Sequence, residues 1–186
     1  ALLEVEPEIV HFSGHGSDGG GLVLENNAGE LKLIEPGALA ELFALCAAYV
    51  GCVILNACYS ESQARAIHEH IPTVIGMQRE IDDKAAIEFA VGFYDALGAG
   101  RTVADAYRFG RNAISLEGMP GHQIPILLAN ASKENKLLSK NWNNEAYVSL
   151  HLVQEILEKS GIARKGSNSH WYPQFKLPKS DSFNIN

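Results

Sequence analysis

Residues 52–56 run Cys-Val-Ile-Leu-Asn and residues 73–76 run Thr-Val-Ile-Gly, two short and nearly unbroken apolar stretches. Such runs, rich in β-branched residues and bounded by turn formers, suit strands buried on both faces of a parallel sheet. Residues 8–13 (EIVHFS) predict a third strand, ended by the glycines of Ser13-Gly-His-Gly16. Residues 124–128 (IPILL) predict a last one, whose proline lacks a ladder donor and so belongs near a sheet edge.

Between these runs the period changes. Leu39, Leu42, Phe43 and Cys46 recur at helical spacing over residues 36–49, with Pro36 where a first turn tolerates it. A helical stretch follows Ser60 up to about His70, so Cys58 lies on a strand-to-helix turn. Residues 83–97 predict a helix closed by Gly98 and Gly100, and Thr102-Val-Ala-Asp105 has the form of a capping box opening another, to about Leu116. Residues 22–25 and 30–34 alternate apolar with polar around Asn26-Asn-Ala-Gly29, a hairpin pattern expected at an edge beside the preceding loop. The alternation of strand and helix predicts an α/β fold, a mostly parallel sheet with helices on both faces.

Past Ala131 the chain becomes polar and Asn/Lys-rich, with one helix expected over residues 145–159. The predicted organisation is a single domain over residues 1–130 and a helical or irregular appendage over 131–186, the boundary falling within 130–141. A chain of 186 residues, 46% hydrophobic, can bury one good core but hardly two.

Charge and cysteine usage narrow the partners. A formal charge of -7 repels a phosphate backbone, which argues against direct nucleic-acid binding. No apolar run approaches the roughly 20 residues of a membrane span, and the first residues are acidic where a signal peptide is basic. Three cysteines, Cys46, Cys52 and Cys58, make no disulfide framework and fit a reducing, cytoplasmic setting. With no CxxC and no four-ligand cluster, neither thiol-redox chemistry nor a metal cofactor is expected. The chain opens on Ala1, which suits a fragment or a processed form of something longer.

Functional loops of open α/β sheets lie beyond the carboxyl ends of the strands, and two such ends here carry His15 and Cys58. The pair is 43 residues apart, histidine first. A thiolate attacks a peptide carbonyl while an imidazole removes the thiol proton and later protonates the leaving amine. Gly16 lets the main chain come close, so its N–H and that of Cys58 are the expected oxyanion donors. A buried cysteine or a core histidine taken alone is ordinarily structural, and Cys46 and Cys52, on a helix face and in a strand interior, are read as packing. His11 is read as a buried strand residue supporting the loop, and His68 and His70 as solvated.

At these residues the sequence resembles a known family. His11-Phe-Ser-Gly-His-Gly16 is similar to the histidine loop of clan CD cysteine peptidases, and Leu55-Asn-Ala-Cys-Tyr-Ser60 to their cysteine loop. The nearest likeness is to CHAT domains, caspase-like and related to separase-type proteases, and it extends through Val74-Ile-Gly-Met-Gln, residues 83–86, Gly92-Phe-Tyr and residues 96–100. It covers about residues 7–128. The resemblance implies a caspase-like sandwich lacking its first strand and helix, and a cysteine endopeptidase acting through a His15–Cys58 dyad. It further implies a regulated effector in bacterial antiviral defence or cell death, with a protein substrate and a sensor domain or partner outside this chain. Separase-type enzymes place an acidic residue after the strand that follows the cysteine to receive a basic P1 side chain, a stretch occupied here by Glu80, Asp82 and Asp83. Glu80 is the pocket candidate and Asp83 the expected helix cap, with Ser13 and Asn56 as further pocket residues. Asn56 and Tyr59 stand where a caspase has Gln and a basic residue, so cleavage after Asp is not implied. The alternative reading is a catalytically silent CHAT-type binding or scaffold module within a larger signalling protein.

Overall fold

The computed structural model describes residues 2–17, 21–25 and 31–130. In chain order the elements are α1 (Leu2–Val5), β1 (Ile9–Ser13), β2 (His15–Ser17), β3 (Gly21–Glu25), β4 (Leu31–Ile34), α2 (Pro36–Cys46), β5 (Cys52–Asn56), α3 (Glu61–His68), β6 (Thr73–Met77), α4 (Asp83–Gly98), α5 (Val103–Leu116) and β7 (Pro125–Ala129). The expected appendage and its helix lie outside the described residues.

The central sheet has the order β1-β5-β6-β7. β1, β5 and β6 run parallel, and β7 pairs antiparallel with β6 at one edge, where the proline of IPILL had placed it. All five residues of β5 and all five of β6 are buried, which is why both read as continuous apolar runs. The pleat sends alternate side chains to opposite faces. Ile9, Cys52, Ile54, Ile75 and Met77 pack with Ala85, Phe89, Phe93 and Ile114 of α4 and α5. Val10, Val53, Leu55 and Val74 pack with Phe43 and Cys46 of α2 and Ala64 and Ile67 of α3. The fold is therefore a mixed α/β sandwich with a mostly parallel sheet and a core on each face, as its periodicities predict. Each fully buried large side chain, such as Phe89 or Ile75, contributes about 1.5–3 kcal/mol of transfer free energy.

The expected hairpin is the β3–β4 pair, and it gains a third strand. β2 adds to β3 antiparallel, with His15 opposite Val23, giving a small sheet β2-β3-β4 beside the end of β1. Two helix ends also differ from expectation. α2 stops at Cys46 instead of Tyr49 because Tyr49 N–H and Val50 N–H both bond back to the Cys46 carbonyl at 3.1 and 3.0 Å, closing the helix. α4 is capped by Asp82, not Asp83: Asp82 has the extended backbone of an N-cap and its carboxylate accepts from Lys84 N–H at 2.9 Å, leaving Asp83 in the first turn. The capping-box form at Thr102 holds, its hydroxyl accepting from Asp105 N–H at 3.1 Å and donating to the Asp105 carboxylate at 2.9 Å.

Candidate active site

The register of β1 and β5 decides what meets at their ends. β1 and β5 pair with Ser13 opposite Asn56, so His15 and Cys58 each lie two residues past the last paired position. Gly14 N–H donates to the Asn56 carbonyl at 3.3 Å, which continues the pairing by one step. Gly16 then lies directly against the cysteine turn: a Cβ there would stand 1.7 Å from the Cys58 carbonyl oxygen and 3.4 Å from its nitrogen. Only a residue with no side chain permits that approach. The histidine and cysteine loops are thus in backbone contact.

The cysteine turn is built by the residues around Cys58. Tyr59 adopts φ 55°, the left-handed region that costs a bulky residue about 1 kcal/mol or more, and its N–H reaches the Arg79 carbonyl at 3.4 Å. Ser60 is 0% exposed; its hydroxyl donates to the Leu55 carbonyl and accepts from Met77 N–H, both at 3.0 Å. One hydroxyl therefore joins the end of β5, the start of α3 and the end of β6. Gly76 lets this turn sit down on β6, since a Cβ there would meet Ala64 Cβ at 2.7 Å.

Cys58 is half-buried, and its thiol donates to the Ile81 carbonyl at 3.7 Å. Cys46 and Cys52 are buried at 1% and 0% exposure, as expected of packing residues. His15 is exposed, and Gly16 is half-buried beside it. Contact with Ile81 places residues 79–82 along the thiol, so exposed Glu80 and Asp82 flank the residue that touches it. Asp83 is also exposed, one position further into α4.

The other residues expected at the pocket divide. Ser13 is half-buried at the end of β1. Asn56 is 6% exposed and its amide donates to the Ala86 carbonyl at 2.9 Å, so that group is engaged by α4. His11 is buried as expected, with Nδ1 2.9 Å from the Tyr94 hydroxyl, and burial holds its pKa down at about 4. His70 is exposed, while His68 is half-buried with Nδ1 3.1 Å from the Ile71 carbonyl. The roles of Tyr59, Ser60 and Tyr94 carried no sequence signal beyond their neighbourhood, because each depends on a partner from another element. Among the described residues there is no cluster of three or more His, Cys, Asp or Glu that could hold a metal ion, and no helix is long and apolar enough to cross a membrane.

Comparison with known proteins shows the family. A curated relative named Roc-COR-CHAT protease, from an unknown prokaryotic organism, is 28% identical over an alignment of 145 residues that covers 71% of this chain. The aligned part is 14% of the relative's own length, so the chain spans a small piece of that multidomain protein. The family model described as CHAT domain matches residues 1–121, a span that holds both loops and the β1–β5 pair that brings them into contact, and the chain belongs to the CHAT-domain family of caspase-like peptidases.

Proposed function

We propose that this chain is a cysteine endopeptidase domain in which Cys58 is the nucleophile and His15 its acid–base partner. The observation that carries the reading is the contact of Gly16 with the Cys58 backbone, at the ends of parallel strands in register. His15 takes the thiol proton as Sγ bonds to the scissile carbonyl carbon, and the carbonyl electron pair moves onto oxygen. Backbone N–H groups of Gly16 and Cys58 receive that oxyanion. As the C–N bond breaks, His15 returns the proton to the leaving amine. Water, deprotonated by His15, then attacks the thioester, releasing the carboxylate and restoring the thiol.

Specificity on this reading comes from the 79–82 segment beside the thiol. Glu80 is exposed there, and Asp82 already caps α4, so Glu80 is the group free to pair with a basic P1 side chain, while Ser13 lies at the same end of the sheet, at the end of β1. The peptidase domain occupies residues 1–130, followed by the appendage at 131–186, and works within a larger protein whose other parts gate it. A proteolytic effector role in bacterial defence or cell death is what the family resemblance implies, and a place within a larger protein fits the Roc-COR-CHAT relative.

A second reading, a silent binding module, is favoured by one observation: the thiol proton of Cys58 is directed at the Ile81 carbonyl. Under the peptidase reading this is a resting rotamer that substrate or a partner displaces. Mapping new protein N-termini in cells expressing the full-length protein separates the two. The peptidase reading expects a set of cleavages lost in Cys58→Ala and in His15→Ala; cleavages that persist in Cys58→Ala overturn it.

A further inference from the structure

The sheet face covered by α4 and α5 is mostly apolar, with Thr73 at the amino end of β6 and a group of polar side chains toward the carboxyl ends of β1 and β5. His11 and Ser13 of β1 and Asn56 of β5 project to this face, by alternation from Ile9, Cys52 and Ile54, and Cys58 packs against the same side. Two of these residues are tied to α4 by single hydrogen bonds. His11 Nδ1 meets the Tyr94 hydroxyl at 2.9 Å, and the Asn56 amide donates to the Ala86 carbonyl at 2.9 Å. Ala86 and Tyr94 are eight residues apart, just over two turns, so they share the side of α4 that lies on the sheet. One helix thus grips both strands that carry the reactive loops, and the loop that leads into it supplies the carbonyl touching the Cys58 thiol.

Each of these grips leaves one polar atom unsatisfied. His11 is 5% exposed and Asn56 6%, and neither His11 Nε2 nor Asn56 Oδ1 has a hydrogen-bond partner in the protein. Burial keeps both ring partners neutral: it lowers His11 to about 4 and raises Tyr94 well above its ordinary value. Tyr94 O–H donating to Nδ1 is the arrangement that leaves the hydroxyl an acceptor in this layer, and in it the one ring proton is on Nε2. A buried donor on β1 accordingly faces the same layer as a buried acceptor on the neighbouring strand, diagonal to it across the pair.

We propose that His11 is a positioning residue, completing a polar chain from Tyr94 through His11 and one buried water to Asn56, which locks α4 to the ends of the strands bearing His15 and Cys58. The chain extends the peptidase reading by assigning what sets the distance between the two loops. The His11 ring is not needed merely to fill the volume, and its Nδ1 is the partner that the buried Tyr94 hydroxyl would lose with an apolar residue there.

The test uses readouts that do not depend on activity. In the intact protein, nitrogen NMR of the histidines is expected to show His11 as a single neutral tautomer protonated at Nε2, with that proton in slow exchange and a cross-peak to a long-lived water. In Tyr94→Phe the tautomers are expected to mix and the proton to exchange faster. A His11 ring protonated at Nδ1, or an Nε2 proton with no water cross-peak, overturns the chain whether or not the protein is a peptidase. If cleavage is detected, His11→Leu is expected to lower kcat between about tenfold and a hundredfold with KM held, and His11→Gln, whose amide reaches the Nε2 position, to recover most of it. Equal kcat for Leu, Gln and wild type would show His11 to be packing only.

Discussion

Adding one methyl group at Gly16 tests the contact on which the site is built. The Cβ of Gly16→Ala would stand 1.7 Å from the Cys58 carbonyl oxygen and 2.8 Å from its carbonyl carbon, whereas carbon reaches such atoms comfortably at about 3.5 Å. Both colliding atoms are backbone, so no rotamer relieves the clash and the two loops must part by something over 1 Å, on the order of the displacement that costs 10²-fold in a catalytic geometry. Overpacking of this kind ordinarily costs about 1–3 kcal/mol, and the half-buried position of Gly16 lets its loop lift away, which points to the lower half of that range. Urea melts of Gly16→Ala should therefore show a loss of about 1–2 kcal/mol, and kcat/KM on a cellular substrate should fall about a hundredfold or more. Gly37→Ala is the control: a Cβ there meets nothing within 4 Å, and in the first turn of α2 alanine should be neutral or stabilising by up to about 1 kcal/mol. Wild-type stability and turnover in Gly16→Ala would refute the backbone contact between the loops.

Ser60→Ala removes the hydroxyl shared by the Leu55 carbonyl and Met77 N–H and leaves both buried, so chemical denaturation should show a loss of about 1–3 kcal/mol; a loss below about 0.5 kcal/mol would mean the turn is held by other bonds. His11 gives stability a pH dependence: its pKa is lowered by burial from 6.5 to about 4, so between those values the unfolded chain binds a proton that the native chain does not, and acid favours unfolding. The slope is about 1.4 kcal/mol per pH unit as pH falls below 6.5, reaching about 3 kcal/mol near pH 4, and it should be measurable in urea melts between pH 7 and 5 and absent in His11→Gln. Equal slopes in the two proteins would place His11 in a hydrated setting.

Most of the sheet was legible because its signals are local. Cys52-Val-Ile-Leu and Thr73-Val-Ile-Gly are buried on both faces, so no polar residue interrupts them, and Gly14 and Gly16 mark where β1 must stop. The contact between the histidine and cysteine loops was also within reach, since adjacent parallel strands carry their loops to one end. What local pattern could not supply was pairing between distant segments. β2 exists because His15–Ser17 finds β3 across the sheet end, and three residues carry too little periodicity to announce a strand. The choice of Asp82 over Asp83 as cap turns on one backbone dihedral, and two adjacent acids give the same composition. The His11–Tyr94 bond spans 83 residues, and neither residue alone distinguishes a polar anchor from an ordinary core aromatic.

The central claim is that Cys58 is a nucleophile activated by His15. It is tested most directly by treating the full-length protein with a peptidyl acyloxymethyl ketone built on a mapped cleavage sequence and locating the adduct by mass spectrometry. One adduct is expected, on Cys58, formed much more slowly in His15→Ala, with Cys46 and Cys52 unmodified at their buried positions. An adduct on another residue, or labelling of Cys58 at the same rate without His15, would contradict it.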